Sequence, residues 1–326
     1  MISTVVGSFP KVAEPGYGTQ VIGALNRWQK QELSTNGLEQ VFRDVTKTVI
    51  KEHEHAGIQL LTDGQIRWED LVTPLARKLD GFEINGLERF FDNNVYYRKP
   101  ILKGKPVWRS PVFVEDYRFA SGITSKPIKA VLPGPYTFVV LSEDRYFKNQ
   151  GKFLRAIAEI LNQEAKALAK AGVPLIQFDE PALGFGAPPL KRVTEAIGIA
   201  TKGVATKTAV YTYFGTTTLE ILAALQKTPV DIIGVDVVSN PKTVAAVRKL
   251  KWSKALGLGC LDARNTKLES ITELHALFDV IHKLIPTDRL YVNPNCGLEF
   301  LPHKQAQQKI ARLGEAVRTY QKKGRK

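Results

Sequence analysis

Hydrophobic and polar positions follow two alternating periods along the chain, most clearly after about residue 127. Short, almost wholly apolar runs such as LIQF and DIIGVDVV are separated by longer stretches whose apolar residues recur every three or four positions. The first pattern predicts strands that are buried on both faces, and the second predicts amphipathic helices. Repeated strand and helix with short connections therefore predict parallel strands that are covered by helices.

Counting these runs predicts the strands of the fold. They lie at about 2–6, 58–62, 128–132, 174–178, 207–213, 231–237, 254–259 and 289–293. Eight parallel strands in a chain of 326 residues predict an α/β fold of the (β/α)8 TIM-barrel type. The alternative is an open doubly wound sheet, but the glycine motifs that bind dinucleotides and nucleotide phosphates in such sheets are absent.

One segment interrupts the alternation. Residues 81–126 contain short aromatic and β-branched runs without a helical period, and we expect an inserted β-meander there. No linker or low-complexity stretch divides the sequence elsewhere. We therefore expect a single TIM-barrel domain over residues 1–326.

Composition and charge limit the class of protein. The chain has 44% hydrophobic and 24% charged residues, which is typical of soluble globular proteins. Its apolar runs are too short to cross a bilayer and its start does not resemble a signal peptide, so we expect a cytoplasmic protein without membrane contact. The net charge of +14 favours anionic partners, but the basic residues are scattered outside the last five positions. We therefore expect no nucleic-acid partner.

Polar side chains stand where the predicted strands end, which is where barrels of this class carry their chemistry. A single carboxylate after a strand is also a common helix cap, whereas the adjacent acids Asp179 and Glu180 favour a functional interpretation. The strand ends comprise Gly7-Ser8-Phe9, Asp63-Gly64-Gln65, Gly134-Pro135, Asp179-Glu180-Pro181, Tyr211-Thr212-Tyr213, Asp236, Asp262-Ala263-Arg264 and Asn295-Cys296.

The histidines do not indicate metal or hydrolase chemistry. His53 and His55 are two positions apart on one predicted helix and are expected at its surface, and the other three histidines also fall on helices. The sequence contains neither HExxH nor GxSxG. These patterns assign no catalytic residue.

Several of the strand-end segments together resemble the catalytic barrel of the cobalamin-independent methionine synthase family. The matching segments are VVGSFP, LLTDGQIRWED, LPGPYTF, IQFDEPAL and YVNPNCGL, of which QFDEPAL and VNPNCGL are the most specific. The resemblance covers nearly the whole chain, is closest to single-barrel versions, and extends to the superfamily that includes uroporphyrinogen decarboxylase. It implies methyl transfer to homocysteine in methionine biosynthesis, with a zinc ion that holds the substrate sulfur as a thiolate.

The resemblance also implies where zinc ligands should stand. The family uses a His-x-Cys strand end, a glutamate on the next strand and the cysteine of VNPxCG. Here Cys296 matches the last ligand and Asp236 replaces the glutamate, whereas Tyr211 and Tyr213 occupy the histidine and cysteine positions. Cys296 and Asp236 are thus the expected metal ligands, an incomplete set because zinc takes at least three from the protein.

For the amino-acid substrate, the resemblance implies a second group of residues. Asp179, with its neighbour Glu180, is expected to bind the amino acid, and the turn that contains Ser8 is expected to offer backbone contacts to the substrate carboxylate. Gln65 stands where the family has the glutamate that holds the substrate ammonium. Arg264 stands where the family has a proton-donating histidine.

Three interpretations stay open. The chain transfers a methyl group to homocysteine, alone or as one chain of a split enzyme, with methyl-folate or a methyl-corrinoid as donor. Alternatively, it is a zinc-free, non-catalytic homologue that binds and supports a zinc-bearing methionine synthase chain. LDARN resembles the zinc-free N-terminal barrel of the long enzymes and fits such a paired arrangement. In the third, Tyr211, Tyr213 and Arg264 form an anion pocket for a different methyl donor or acceptor.

Overall fold

A computed structural model gives the structure of residues 1–11, 19–91, 93 and 95–323. Positions 92 and 94 of the predicted insertion and the last three residues of the basic C-terminal run lie outside the described residues. The helices are α1 (Thr19–Gln29), α2 (Thr35–His55), α3 (Thr73–Ala76), α4 (Val114–Ser121), α5 (Pro135–Val140), α6 (Gln150–Lys170), α7 (Leu190–Thr201), α8 (Leu219–Gln226), α9 (Pro241–Lys249), α10 (Ile271–His282) and α11 (His303–Lys323). The strands are β1 (Ile2–Ser3), β2 (Leu79–Arg89), β3 (Tyr96–Trp108), β4 (Ala130–Pro133), β5 (Glu143–Asp144), β6 (Leu175–Asp179), β7 (Lys207–Thr212), β8 (Ile232–Asp236), β9 (Ala255–Leu261) and β10 (Leu290–Pro294).

These elements fall into two compact units, which are described separately. Unit 1 comprises Met1–Arg67, Phe119–Ile128 and Leu256–Lys326. Unit 2 comprises Trp68–Arg118 and Lys129–Ala255. None of the helices in the described ranges is both long enough and apolar enough to span a membrane.

Unit 1 contains parallel strands at both ends of the sequence. β1 pairs with β10, and β10 pairs with β9, all in parallel. The strand predicted at 58–62 is reduced to single bridges that join Thr4 to Leu60 and Leu61 to Ile128. Side chains satisfy part of the backbone here, because Gln59 accepts an N–H from β1 and the Thr4 hydroxyl donates to the Leu60 carbonyl. These contacts replace ladder hydrogen bonds that a regular strand would make.

Helix α2 corrects one expectation about the histidines. His53 is fully buried, so its predicted surface position is wrong, whereas His55 is exposed as expected. His53 lies three and four positions after Ile50 and Val49, which are also fully buried, and therefore shares their face of the helix. Its ring contacts the Phe9 ring edge-on at a centroid distance of 5.1 Å.

Unit 2 is built on four parallel strands in the order β4, β6, β7 and β8. Every residue of β6 and β8 is buried, as predicted for apolar strands that are covered on both faces. Their bounds agree with the predicted runs to within about two residues, which is the usual uncertainty of element ends. Helices predicted after these strands are present as α7, α8 and α9.

The predicted insertion is also present in unit 2. β2 and β3 form an antiparallel hairpin with Leu79 opposite Trp108, and β5 pairs with β3 in parallel. After the hairpin, the chain forms helix α4 instead of another strand. The buried Glu164 carboxylate fixes this change of direction, because it accepts hydrogen bonds from the Trp108 indole and from the backbone N–H groups of Val112 and Phe113.

Candidate functional site

The carboxyl end of β6 carries a buried chain of hydrogen bonds within unit 2. Lys129 Nζ donates to Gln177 Oε1 at 2.5 Å, and Gln177 Nε2 donates to Asp179 Oδ1 at 2.6 Å. The Tyr213 hydroxyl donates to the other carboxylate oxygen, Asp179 Oδ2, at 3.0 Å. The four side chains are between 0% and 7% exposed. We call these four residues the Asp179 network.

The electrostatics of the Asp179 network follow from its burial. Burial lowers the pKa of Lys129 to about 7, and the nearby Asp179 charge raises it. The Asp179 charge thus partly compensates the desolvation of the Lys129 ammonium group, and Gln177 links the two side chains. Such a network fixes the direction in which each member donates and accepts.

Tyr211 lies beside this network. It is 1% exposed, and Lys129 Nζ stands 4.9 Å from the centre of its ring, a cation–π contact. The neighbouring strand β8 makes room for the ring, because a Cβ at Gly234 would lie 2.6 Å from Tyr211 Cδ2. Gly234 is therefore needed to make room for Tyr211, which stands at an expected zinc-ligand position.

Glu180 follows Asp179 but has different partners. Its carboxylate accepts hydrogen bonds from the backbone N–H groups of Tyr136 and Thr137 at 2.9 and 2.7 Å, and from the Thr137 hydroxyl at 2.7 Å. Burial raises its pKa to about 7, against the lowering effect of these donors. The carboxylate thereby fixes the start of α5, a helix within the PGPYTF segment for which the sequence pattern had predicted no helix.

Asp236 ends β8 and is bound by the turn that follows it. Its Oδ1 accepts the backbone N–H groups of Val238 and Ser239, both at 2.9 Å, and its Oδ2 accepts the Ser239 hydroxyl at 2.5 Å. This is the pattern of an aspartate that stabilises the turn after a strand. The residue is 1% exposed.

An aromatic cluster stands at the same end of unit 2, where the inserted hairpin meets the loops after β6 and β7. Phe91 stacks on Phe185 at a centroid distance of 4.8 Å, and Phe90 lies edge-on to Phe214 at 6.1 Å. Phe214 in turn contacts Tyr213 at 4.7 Å. Phe91 and Phe214 both have positive φ angles, 52° and 74°, which are strained for bulky side chains.

In unit 1, Ser8 is held by a carboxylate. Its hydroxyl donates to Glu299, and its carbonyl accepts the backbone N–H of Leu298 at 2.9 Å. Gly297 lies against this pair, and a Cβ there would come within 3.0 Å of both the Ser8 hydroxyl oxygen and the Glu299 carboxylate. The glycine of NPNCG is therefore needed for the close approach of Ser8 and Glu299.

Asp63 and Gln65 form a tight turn in unit 1. Asp63 Oδ1 accepts the Gln65 backbone N–H at 2.9 Å, and Gln65 adopts a left-handed φ of 49°. Burial raises the pKa of Asp63, while the Gln65 N–H and the Lys11 and Arg67 charges lower it. Gln65 is 6% exposed, and its Nε2 has no hydrogen-bond partner among the described residues. A buried donor of this kind is suited to an acceptor atom of a ligand.

Cys296 and Arg264 complete the predicted set, both in unit 1. Cys296 is fully buried after β10, and its sulfur contacts the Gly297 carbonyl at 3.5 Å. Arg264 is exposed, and its backbone N–H donates to Asp262 at 2.9 Å. The structure thus joins Asp179 with Tyr213 in unit 2, and it groups Ser8 and Gln65 each with a carboxylate in unit 1.

The residues at the expected ligand positions do not fit a zinc ion. Two are tyrosines, of which Tyr213 donates its hydroxyl to Asp179. A third, Asp236, is held by turn hydrogen bonds. Zinc sites in proteins use at least three ligands from cysteine, histidine and carboxylates. No group of three or more such residues that could hold a metal occurs in the described part of the chain.

Several residues at these strand ends were not singled out from the sequence. Lys129 and Gln177 interrupt otherwise apolar strand runs, KPIKAVL and LIQF, and a polar residue in such a run was the available signal for a buried network. Glu299 and the aromatic cluster had no comparable signal, because their partners are distant in sequence. They are defined only by the fold.

Comparison with known proteins identifies the class to which these features belong. The family model described as the catalytic domain of cobalamin-independent synthases matches residues 1–319. A methionine synthase from Sulfolobus acidocaldarius is 31% identical over 95% of this chain and 89% of its own length, and one from Saccharolobus solfataricus is 30% identical over 97% and 93%. A B12-independent methionine synthase from a Shewanella strain, solved in complex with selenomethionine, superposes with a TM-score of 0.84, 25% identity and 98% coverage of both chains.

Parallel strands, covering helices and polar strand ends define an α/β barrel protein, and the predicted TIM-barrel class is confirmed by the shared fold. The chain belongs to the cobalamin-independent synthase family and is similar to its catalytic domain over nearly its whole length. The family resemblance inferred from QFDEPAL and VNPNCGL is therefore confirmed.

Proposed function

We propose that this chain takes part in methyl transfer to homocysteine in methionine biosynthesis, as one chain of a split enzyme. Membership of the family and the names of its relatives support the reaction class. The observation that carries the proposal is the buried Asp179 carboxylate, held by Gln177 and Tyr213 at the end of β6. A buried carboxylate that is held in a fixed orientation is suited in charge to the ammonium group of an amino acid.

The other predicted site residues have chemistry that suits the same substrate class, and their roles are part of the proposal. The Gln65 amide N–H is a donor for a carboxylate oxygen, and the turn at Ser8 presents backbone groups for the same purpose. Arg264 is exposed and cationic, which suits an anionic methyl donor such as a methyl-folate. Glu180 supports Asp179 indirectly, since it fixes the start of α5.

The split arrangement follows from the misfit between the residues and zinc. The family activates the homocysteine thiol on zinc, and this chain lacks a ligand set for that ion at the expected positions. A homologous chain with an intact His-x-Cys strand would supply that chemistry, and this chain would bind and orient an amino acid. The family match over residues 1–319 also supports our proposal that the chain is a single domain.

The test is an assay of homocysteine methylation with methyl-tetrahydrofolate or methylcobalamin as donor. Turnover is measured with this chain alone, with a zinc-bearing methionine synthase chain alone, and with both together. We expect the combination to exceed the sum of the two separate rates. Equal rates with and without this chain would contradict the proposal.

A second candidate is a non-catalytic homologue that supports a zinc-bearing chain without binding substrate. Tyr211, Tyr213 and Arg264 at the expected ligand and proton-donor positions favour it. Asp179→Asn separates the two candidates, because it removes a negative charge that a substrate-binding chain needs. Stimulation that is lost in Asp179→Asn supports the first candidate, and stimulation that persists supports the second. Asp80→Asn is the matched control, since Asp80 is a partly exposed partner of Arg109 on the hairpin.

A further inference from the structure

Four connections in unit 2 carry a large excess of positive charge. They are the segments 165–174, 198–207, 224–231 and 246–254, each of which contains the end of one of the helices α6 to α9 and leads to the next strand. Together the segments contain nine lysine and arginine residues and one acidic residue, Asp231. Their net charge of +8 is more than half of the +14 of the whole chain, so this region dominates the charge of the protein.

Hydrogen bonds join each of these segments to the next one along the chain. Because β6, β7 and β8 are neighbouring parallel strands, their amino ends lie at one edge of the sheet. The bonds that connect the segments there are Thr206 Oγ1 to the Val173 carbonyl at 2.8 Å, the Thr208 N–H to Asp231 Oδ2 at 2.8 Å, and Ser253 Oγ to Gln226 Oε1 at 2.6 Å. Basic residues that are scattered in the sequence are thus brought together by the fold, and we call this surface the basic face.

Eight of the nine cations are exposed, and within the described residues none of the eight pairs with a carboxylate. The exposed cations are Lys166, Lys170, Lys202, Lys207, Lys227, Arg248, Lys249 and Lys251. The ninth, Lys254, is half-buried and donates to the Val230 carbonyl at 2.6 Å. Cations in the last turn of a helix stabilise the helix dipole, but Lys202, Lys207 and Lys251 lie beyond the helices and have no such role.

The side chains between the cations limit the kind of anion that suits the basic face. No large apolar side chain is exposed in these four segments, all of which the structure describes. Their one aromatic residue, Trp252, is buried, and its indole N–H donates to the Val247 carbonyl at 3.0 Å. Single-stranded nucleic acids are bound largely by stacking on aromatic rings, and amphipathic segments that bind membranes insert apolar side chains. The basic face offers neither feature.

The kind of cation also matters. Seven of the eight exposed cations are lysines, whereas arginine is the residue whose planar guanidinium matches phosphate with two hydrogen bonds. Lysine ammonium groups form charge-assisted hydrogen bonds with carboxylates. Because the segments are fixed to one another by hydrogen bonds, they present these ammonium groups from fixed backbone positions.

From this distribution of charge we propose that the basic face is a docking surface for an acidic segment of a partner protein, a stretch rich in aspartate and glutamate. A surface of this kind increases the rate of association and makes binding sensitive to salt. Strands β6 and β8 are each five residues long, so the two ends of the sheet are about 15 Å apart and a segment bound here leaves the Asp179 network uncovered. The inference does not depend on the proposed function, because no residue of the basic face belongs to the strand-end site.

The test is fluorescence anisotropy with a labelled deca-glutamate peptide at about 50 mM salt, where screening is weak. The basic-face variant combines Lys202→Glu, Lys227→Glu and Lys251→Glu, which places one substitution in each of three neighbouring segments. We expect the wild type to bind the peptide and this variant to bind it at least about tenfold more weakly, because three attractive charges become repulsive. The substituted side chains are exposed, so the variant should keep the thermal unfolding midpoint of the wild type within a few degrees.

The matched control combines Lys30→Glu, Lys51→Glu and Lys283→Glu. These lysines are exposed in unit 1 and lie outside the basic face, and the control has the same net charge as the basic-face variant. We expect it to bind the peptide within about twofold of the wild type. Equal weakening in the two variants would assign binding to net charge alone and would contradict the inference. Absence of peptide binding by the wild type would contradict it as well.

Two further probes separate carboxylate from phosphate recognition. A labelled single-stranded oligonucleotide of the same charge and vesicles of phosphatidylglycerol are titrated in parallel with the peptide. We expect neither to bind as tightly as the peptide. Tighter binding of either probe, if it is lost in the basic-face variant, would show that the basic face recognises phosphate groups and would overturn the inference.

Discussion

Replacing Gly134 with alanine tests whether the glycine before α5 is needed to make room for the Glu180 carboxylate, which follows β6. Gly134 precedes α5 with φ −72° and ψ 150°, a conformation that alanine adopts without strain. A Cβ at this position would lie 2.5 Å from Glu180 Oε1. The substitution therefore acts through contact with Glu180 and not through the backbone.

The magnitude follows from the hydrogen bonds that Glu180 would lose. Contacts under 3.0 Å essentially never occur for real Cβ atoms, so the carboxylate must move away from the backbone N–H groups of Tyr136 and Thr137. At a pH above about 8, where Glu180 with its pKa of about 7 is ionised, each hydrogen bond to the charged group contributes about 1.5–3 kcal/mol, so two lost bonds cost about 3–6 kcal/mol. Alanine returns about 0.4–1 kcal/mol by restricting the unfolded chain. We expect a net loss of about 2–5.6 kcal/mol in the free energy of unfolding.

The assay is equilibrium unfolding in urea, with Gly198→Ala as the matched control. Gly198 lies within α7 and a Cβ there meets no atom within 4 Å, so this variant should gain about 0.5–1 kcal/mol. In a Glu180→Ala background, Gly134→Ala should cost little, because the clashing group is absent. A Gly134→Ala variant that unfolds within about 1 kcal/mol of the wild type would refute this account of the contact.

Three further predictions concern stability and partners. Glu164→Gln should cost about 2–4 kcal/mol in urea unfolding, because an amide cannot accept all the hydrogen bonds from Trp108, Val112 and Phe113; a loss under about 0.5 kcal/mol would contradict this. Burial lowers the pKa of His53 to about 3, so the unfolded state binds the extra proton and stability should fall by about 1.4 kcal/mol per pH unit as the pH drops below about 6.5. His53→Phe should remove this part of the slope, and an unchanged slope would assign it to other groups. Salt-sensitive oligonucleotide binding should be absent despite the charge of +14, and its detection by fluorescence anisotropy would overturn that expectation.

The helices and most strands could be predicted because each has a regular spacing of apolar residues that can be seen within its own segment of the sequence. Helix α6, for example, lies in one of the long stretches whose apolar residues recur every three or four positions. The strand at 58–62 was shorter than expected, because side chains of Gln59 and Thr4 take up backbone hydrogen bonds that no periodicity reveals. Helix α5 was missed because a carboxylate 40 or more positions away, Glu180, satisfies its first N–H groups.

The site was predictable in its residues but not in its contacts. The resemblance to the family singled out Asp179 and Tyr213 as site positions. Only the fold shows that the Tyr213 hydroxyl donates a hydrogen bond to the Asp179 carboxylate. His53 was misjudged because spacing alone does not reveal which face of α2 is buried. Lys129 shows the opposite case, since a lysine in an apolar strand run is a visible signal of a buried charge.

The most direct test of the central claim is a calorimetric titration of L-methionine into the chain after treatment with a chelator, repeated with zinc added. The account predicts binding by the metal-free chain, an unchanged dissociation constant when zinc is present, and loss of binding in Asp179→Asn. Binding that appears only with stoichiometric zinc, and that is lost in Cys296→Ala, would show that these strand ends form a metal centre and would contradict the account.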